Sequence, residues 1–70
     1  MKYKIGDIVV SQSESFGQRY VKIETKESDI RFGRPGFSGF LCDVNGKPIK
    51  LNDPYGNKVW GYNHQVVKVL

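Results

Sequence analysis

The sequence contains few of the residues on which small secreted domains and metal sites depend. Its 70 residues include one cysteine, one histidine and one tryptophan. A single cysteine excludes an internal disulfide, which a small secreted domain usually needs, so we expect a cytoplasmic protein. One cysteine and one histidine do not make a metal site without carboxylates. No metal or other cofactor is therefore expected.

Long apolar runs are also missing. The first four residues, Met-Lys-Tyr-Lys, lack the apolar segment of a signal peptide. No apolar stretch approaches the length that crosses a bilayer, so we expect a complete small protein that does not associate with membranes. No window carries a sustained period of 3.6 residues, so we expect essentially no α-helix.

The charge is unbalanced toward the basic side. Eleven lysines and arginines against seven acidic residues give a net charge of +4 and a pI near 9.4. This balance favours an anionic partner, namely nucleic acid or an acidic protein surface. A chain of this length forms one domain, residues 1–70, with a small core. A binding face is easier to build from it than a closed catalytic cleft.

The alternation of side chains predicts β-strands. Within residues 19–26, Val21, Ile23 and Thr25 fall on one face and polar side chains on the other, as in a half-buried antiparallel strand. We predict five main strands at residues 5–10, 19–26, 40–44, 58–62 and 66–69, with a short return strand at 47–51. The predicted core consists of Ile5, Val9, Val21, Ile23, Phe40, Cys42, Val44, Val59, Val67 and Val69.

Turn-forming residues separate these strands. Asn45-Gly46 indicates a type I′ hairpin turn, in which both residues have positive φ. Residues 53–56, Asp-Pro-Tyr-Gly, indicate a β-turn. Residues 63–65 suit one turn of 3₁₀ helix. Residues 11–18 and 27–39 are predicted to be loops.

The order of elements resembles a known group of folds. The opening Tyr3-Lys4-Ile5-Gly6-Asp7-Ile8-Val9, the strand meander, the 3₁₀ turn and the final Val-Val-Lys-Val strand are similar to SH3-like barrels of the KOW and Tudor type. The resemblance implies an all-β fold, a small five-stranded antiparallel barrel with a 3₁₀ turn before the last strand. It also implies a role in nucleic-acid binding.

Catalytic arrangements find no support in the sequence. A nucleophile needs an adjacent base and an orienting group, and the serines cluster in the first loop, where they commonly form turns. Cys42 is interpreted as a buried small hydrophobe and His64 as a residue that caps backbone groups of the 3₁₀ turn. We therefore expect no enzyme.

Two segments carry the best binding residues. In residues 31–37, arginines can bind phosphates and phenylalanines can stack on bases, or the phenylalanines can pack over the end of the barrel. In residues 55–62, Trp60 is either a core residue or, if Val59 points inward, part of an exposed aromatic patch with Tyr62, which Tyr20 can extend. The candidate contact residues are Arg31, Phe32, Arg34, Phe37, Lys22, Lys26, Tyr55, Trp60 and Tyr62.

These residues leave two functional hypotheses. The first is a nucleic-acid-binding accessory or regulatory protein, for RNA or DNA. The alternative is a protein-interaction module that docks on a larger enzyme or complex, similar in size and style to the small regulators carried by phages. The sequence predicts no oligomeric state.

Overall fold

The computed structural model describes residues 2–50 and 56–70. It contains five antiparallel strands in one sheet, in the order β4-β3-β2-β1-β5. The strands are β1 (Ile8–Ser13), β2 (Gly17–Arg31), β3 (Arg34–Leu41), β4 (Lys58–Tyr62) and β5 (Val66–Val69), and a 3₁₀ helix (Asn63–Gln65) joins β4 to β5. The predicted all-β class and the 3₁₀ turn before the last strand are confirmed.

The sheet is strongly curved, because its two edge strands follow each other in the chain. In a flat sheet, four strand spacings would separate β4 from β5 by about 19 Å. The 3₁₀ helix between them has three residues, and the four chain steps from Tyr62 to Val66 cover about 14 Å at most. The edges therefore approach each other at this corner. No pairing closes the sheet between β4 and β5 in the described part of the chain.

The core lies on the concave side of this sheet. The ring of Tyr3 meets the ring of Phe37 edge-on, with centroids 5.6 Å apart. Gly61 in β4 makes room for Phe37, since a Cβ at this position would lie 2.7 Å from Phe37 Cζ. The buried cluster comprises Tyr3, Val9, Val21, Ile23, Phe37 and Val66, with Leu41, Val59 and Val69 packed against it.

The core prediction is correct for the clearly alternating strands and wrong near their ends. Val9, Val21 and Ile23 are buried in the cluster, and Val59 and Val69 are partly buried against it. The exceptions are exposed or only half-buried, and they lie at strand ends, in turns or on the other face of the sheet: Ile5, Val44 and Val67 are exposed, and Phe40 is half-buried.

Cys42 is buried as predicted, but outside the core cluster. Its predicted companion Phe40 is half-buried, whereas Leu41 packs against the core. The backbone of Cys42 instead forms an isolated β-bridge with Pro48, on the segment that follows β3. Burial, together with the charge of Asp43, raises the pKa of its thiol.

The predicted loop at residues 27–39 is a hairpin, and this is the main correction to the fold. β2 continues to Arg31, β3 begins at Arg34, and Phe32-Gly33 forms the two-residue turn with positive φ at both residues (55° and 73°). Such a turn matches the twist of the flanking strands. Residues 11–18 are corrected likewise, because β1 runs to Ser13 and β2 begins at Gly17.

The turn at Asn45-Gly46 also differs from the predicted type. Gly46 has a φ of 85°, but Asn45 has no positive φ. The N–H of Gly46 donates to the Asp43 carbonyl at 3.0 Å, and the Asp43 carboxylate accepts the N–H groups of Asn45 and Lys47 at 2.9 Å each. The Asp43 side chain therefore favours a three-residue loop that ends in a glycine bulge.

The return strand predicted at residues 47–51 does not form in its described part. Residues 47–50 are tied to the end of β3 by the isolated β-bridge between Cys42 and Pro48 and by backbone hydrogen bonds from Asp43 to Lys47 and from Ile49 to Leu41, without forming a strand. Leu51 and most of the turn predicted at residues 53–56 lie outside the described residues.

Candidate binding site

Strand β4 presents Trp60 and Tyr62 on the face of the sheet that points away from the core. Trp60 lies opposite Ser38 and Tyr62 opposite Gly36 in β3. Because these partners are small, they leave the rings uncovered, and Trp60 is 41% exposed. Val59 points to the core side and packs against the buried cluster. Of the two placements considered for Trp60, the structure has the exposed one.

The aromatic side chains that follow one another along this face are in contact. The rings of Trp60 and Tyr62 meet at 5.3 Å and nearly at right angles. The His64 ring lies nearly parallel to that of Tyr62, with centroids 5.5 Å apart. The 3₁₀ helix places His64 here, two residues after Tyr62, so that β4 and the helix form a continuous aromatic surface.

Two arginines from the β2–β3 hairpin lie over these rings. Arg31 and Arg34 are partners at the closed end of the hairpin. The guanidinium carbon of Arg31 is 4.8 Å from the Trp60 centroid, and that of Arg34 is 5.7 Å from the Tyr62 centroid. Both distances lie within the range of cation–π attraction. We call Arg31, Arg34, Trp60, Tyr62 and His64 the cation–aromatic strip.

Phe32 projects from the hairpin tip beside the strip. Its side chain is 90% exposed. Its φ of 55° places a bulky residue in the left-handed region, which costs an L-residue about 1–2 kcal/mol. The preceding strand β2 holds the turn, because the Asp29 carboxylate accepts the Gly33 N–H at 2.8 Å. Phe32 therefore bears backbone strain and contributes little packing in return.

Shallow depressions border the strip on both sides. One of about 320 Å³ lies between Arg31, Trp60 and Lys58 and includes the carboxylate of Glu27. Another of about 550 Å³ is lined by Arg34, Tyr62 and His64 on one side and by residues 12–15 on the other, Glu14 among them. The strip is thus mainly, but not uniformly, basic.

The other predicted contact residues do not join the strip. Phe37 is completely buried, so it is a core residue and not a stacking surface. The Lys26 ammonium group donates a hydrogen bond to the Tyr3 carbonyl at 2.8 Å. The Lys22 ammonium lies next to Gly46, at the turn after β3. Tyr55 lies outside the described residues.

Sequence reasoning missed His64, Arg19 and Phe16 as surface features of this region. His64 was assigned to capping, whereas its ring stacks on Tyr62. Arg19 stacks on Phe16, at 4.8 Å from guanidinium carbon to ring centroid. The spacing of Tyr62 and His64 is the one signal that pointed to a shared surface. The meeting of Arg31 with Trp60 across 29 positions had no such signal.

Metal chemistry finds no site in the described part of the chain. Within residues 2–50 and 56–70, no group of three or more His, Cys, Asp or Glu side chains is placed to hold a metal ion. In the same residues, no helix has the length and apolar character to cross a membrane.

No protein-family model, no curated protein and no solved structure matches this chain.

Proposed function

We propose that this protein is a non-catalytic accessory or regulatory protein that binds single-stranded nucleic acid, RNA or DNA, on the cation–aromatic strip. The observation that carries the proposal is the placement of Arg31 and Arg34 at 4.8 and 5.7 Å over the rings of Trp60 and Tyr62. Two segments far apart in sequence thereby present guanidinium planes and aromatic rings on one exposed face.

This combination of groups suits an unpaired strand. Unpaired bases stack on aromatic rings and on guanidinium planes, and each stacked base contributes about 1–3 kcal/mol. Arginine also recognises phosphate oxygens through two parallel hydrogen bonds. The net charge of +4 adds a general attraction for polyanions. Exposed aromatic rings favour a single strand, because the bases of a duplex are already stacked on one another.

Phe32 extends this surface at the hairpin tip. A residue that is strained at φ 55° and 90% exposed adds little to folding. Backbone strain of this kind is often found at functional sites. In the proposal, the Phe32 ring stacks on a base next to the one that contacts Trp60, while Arg31 and Arg34 flank the turn at the closed end of the hairpin.

The proposal includes the finer description of the fold as an SH3-like barrel of the KOW and Tudor type. Its support is the curvature that the short 3₁₀ link imposes on the sheet and the order of the five strands. We also propose that the protein acts in the cytoplasm, since its single cysteine excludes an internal disulfide.

The experiment is a salt titration of binding with a charge-matched control. The double variant Arg31→Ala with Arg34→Ala removes two charges from the strip, and Lys47→Ala with Lys50→Ala removes two from the segment after β3. The probe is octauridylate, and the Kd is measured by fluorescence anisotropy between 50 and 300 mM salt. We expect the arginine pair to lower the slope of log K against log salt by about 1.4, since each single-strand phosphate contributes about 0.7.

The control pair should bind octauridylate with nearly the wild-type slope. Both double variants should keep their stability within about 0.5 kcal/mol, because all four side chains are exposed. Wild-type protein that shows no binding to octauridylate or to oligothymidylate at 50 mM salt would overturn the proposal.

A second candidate function is docking on an acidic surface of a larger protein. The exposure of Phe32 and Trp60 favours it, because exposed aromatic side chains flanked by arginines are typical of interface hot spots. Capture of a partner from nuclease-treated lysate by the wild type, but not by Trp60→Ala, together with no oligonucleotide binding, would support this function in place of the first.

A further inference from the structure

Among residues 2–50 and 56–70, Arg19 has no ion-pair partner, and it lies on the core side of the sheet. It shares one face of β2 with Val21 and Ile23, which are almost completely buried. Its Nε atom is buried and has no hydrogen-bond partner among residues 2–50 and 56–70. Burial also lowers the pKa of the guanidinium group. A partly desolvated charge with no counter-charge is unfavourable, and a bound anion would offset this.

The first hairpin, formed by β1 and β2, fixes the position of this guanidinium group. Its carbon lies 4.8 Å from the centroid of Phe16. Phe16 is held in the β1–β2 loop, where its N–H donates to the Ser13 hydroxyl at 3.0 Å. The ring supports one side of the guanidinium group, and Phe16 is itself 69% exposed. Arg19 is therefore positioned by packing, although no carboxylate pairs with it in the described residues.

A depression of about 310 Å³ opens beside Arg19, between the first hairpin and β4. Besides Trp60 and Tyr62, its lining includes five residues whose side chains can donate hydrogen bonds: Ser13, Ser15, Arg19, Lys58 and Gln65. The side-chain oxygen Oε1 of Gln65 already accepts the Tyr62 N–H at 2.9 Å, so the side-chain nitrogen Nε2 is the group left to donate.

Acidic side chains are scarce at this depression. No aspartate or glutamate lines it in the part of the chain that the structure describes. Glu24 lies 3.6 Å from the Lys58 ammonium group in an exposed ion pair, and such a pair holds its partners weakly. A set of donors around an unpaired arginine is the chemistry of an oxyanion site.

We infer that Arg19 and the donors around it bind a phosphate group, and that this phosphate belongs to the strand whose bases stack on Trp60 and Tyr62. Trp60 and Tyr62 also line the depression, so a strand on the strip reaches it without a gap. The strand passes from the β2–β3 hairpin across β4 toward the first hairpin. The assignment to a strand rests on the proposed function, whereas the phosphate site itself does not.

The binding experiment compares Arg19→Gln with Lys47→Gln, which removes the same charge from the segment after β3. We expect Arg19→Gln to weaken octauridylate binding about tenfold, the size of a lost hydrogen bond to a charged group. It should also lower the salt slope by about 0.7, one phosphate. Lys47→Gln should stay within twofold of the wild type. Equal affinity and slope for Arg19→Gln and the wild type would overturn the inference.

A second measurement on the wild type separates the two sources of phosphate and does not depend on a variant that folds. The side-chain Nε–H signal of Arg19 is followed by NMR with inorganic phosphate, with octauridylate and with sodium chloride at matched ionic strength. A saturable shift with inorganic phosphate establishes the site even if octauridylate does not bind, in which case the proposed function alone fails. A shift with octauridylate only assigns the site to a strand phosphate. No shift beyond the chloride control with either ligand would overturn the inference.

Discussion

Two cation–aromatic pairs in this molecule have the same spacing and opposite surroundings. The Lys26 ammonium lies 4.8 Å from the Tyr3 ring centroid, and the Arg31 guanidinium carbon lies 4.8 Å from the Trp60 centroid. Tyr3 is 3% exposed, whereas Trp60 is 41% exposed. The Tyr3 hydroxyl donates to Asn63, and Lys26 also donates to the Tyr3 carbonyl. In contrast, Trp60 and Arg31 face solvent.

The difference shows that a favourable contact between two side chains does not by itself define a role. The Tyr3 ring is buried and packs on Phe37, so its burial contributes to stability. At Trp60 the contact leaves a large part of the ring accessible, so its apolar area is available to a ligand. Burial therefore separates the structural pair from the candidate binding pair.

The largest expected effect is on the core side of this comparison. Tyr3→Ala removes a buried aromatic ring, and we expect it to lower the free energy of unfolding by about 3–5 kcal/mol. Trp60→Ala, the matched aromatic truncation on the surface, should lower it by about 1 kcal/mol or less. Urea unfolding of both variants, followed by circular dichroism, measures the difference. Similar losses in the two variants would show that Trp60 is also a structural residue.

Binding should reverse the ranking. Trp60→Ala is expected to weaken octauridylate binding by about 1–3 kcal/mol, or roughly 5- to 150-fold, because one stacking surface is lost. Tyr20→Ala is the control, since Tyr20 is an exposed aromatic residue of β2 that lies outside the strip. Anisotropy titrations at fixed salt give both values. A loss with Tyr20→Ala equal to that with Trp60→Ala would contradict the placement of the site on β4.

The hairpin tip offers a variant that raises stability while it weakens binding. Phe32→Asn should increase the free energy of unfolding by about 1 kcal/mol, because asparagine adopts a positive φ more easily than phenylalanine. The same variant should bind octauridylate more weakly. Phe16→Asn is the control for stability, since Phe16 is exposed but does not have a positive φ. A less stable Phe32→Asn protein would indicate that the Phe32 ring packs in solution.

The smallest effect is a pH dependence that belongs to Tyr3. Burial raises the pKa of the Tyr3 hydroxyl, so the folded state holds this proton more tightly than the unfolded chain does. The corresponding stability is present below the ordinary tyrosine pKa and is lost as the pH rises through the folded-state value. The advantage of the wild type over Tyr3→Phe in urea unfolding should therefore shrink above about pH 10. A constant difference between pH 8 and pH 11 would contradict this.

Local signals predicted some elements well and others poorly. β4, the 3₁₀ turn and β5 form at the predicted residues 58–62, 63–65 and 66–69, because apolar residues and turn formers alternate there without ambiguity. The β2–β3 hairpin was predicted to be a loop. Three glycines and Pro35 within residues 27–39 disfavour a strand locally. β3 forms nevertheless, because it pairs with β2 on one side and with β4 on the other.

The candidate site divides in the same way. The sequence identified Arg31, Arg34, Trp60 and Tyr62 as candidate contact residues, because arginines and aromatic residues lie close together within residues 31–37 and 55–62. It did not place them together, and it gave Phe37 a surface role. Phe37 differs from Phe32 only in its position on the hairpin: Phe37 faces the core opposite Gly61, and Phe32 occupies the tip.

By itself, the sequence determined the all-β class, the valines and isoleucine that alternate into the core, and the basic and aromatic character of the surface. These properties depend on the period of two and on composition, which are local. The tertiary structure decided which aromatic ring is buried, which ring is free, and that two arginines lie over Trp60 and Tyr62. Those outcomes depend on strand register and on the curvature of the sheet, and both arise from contacts between residues far apart in the chain.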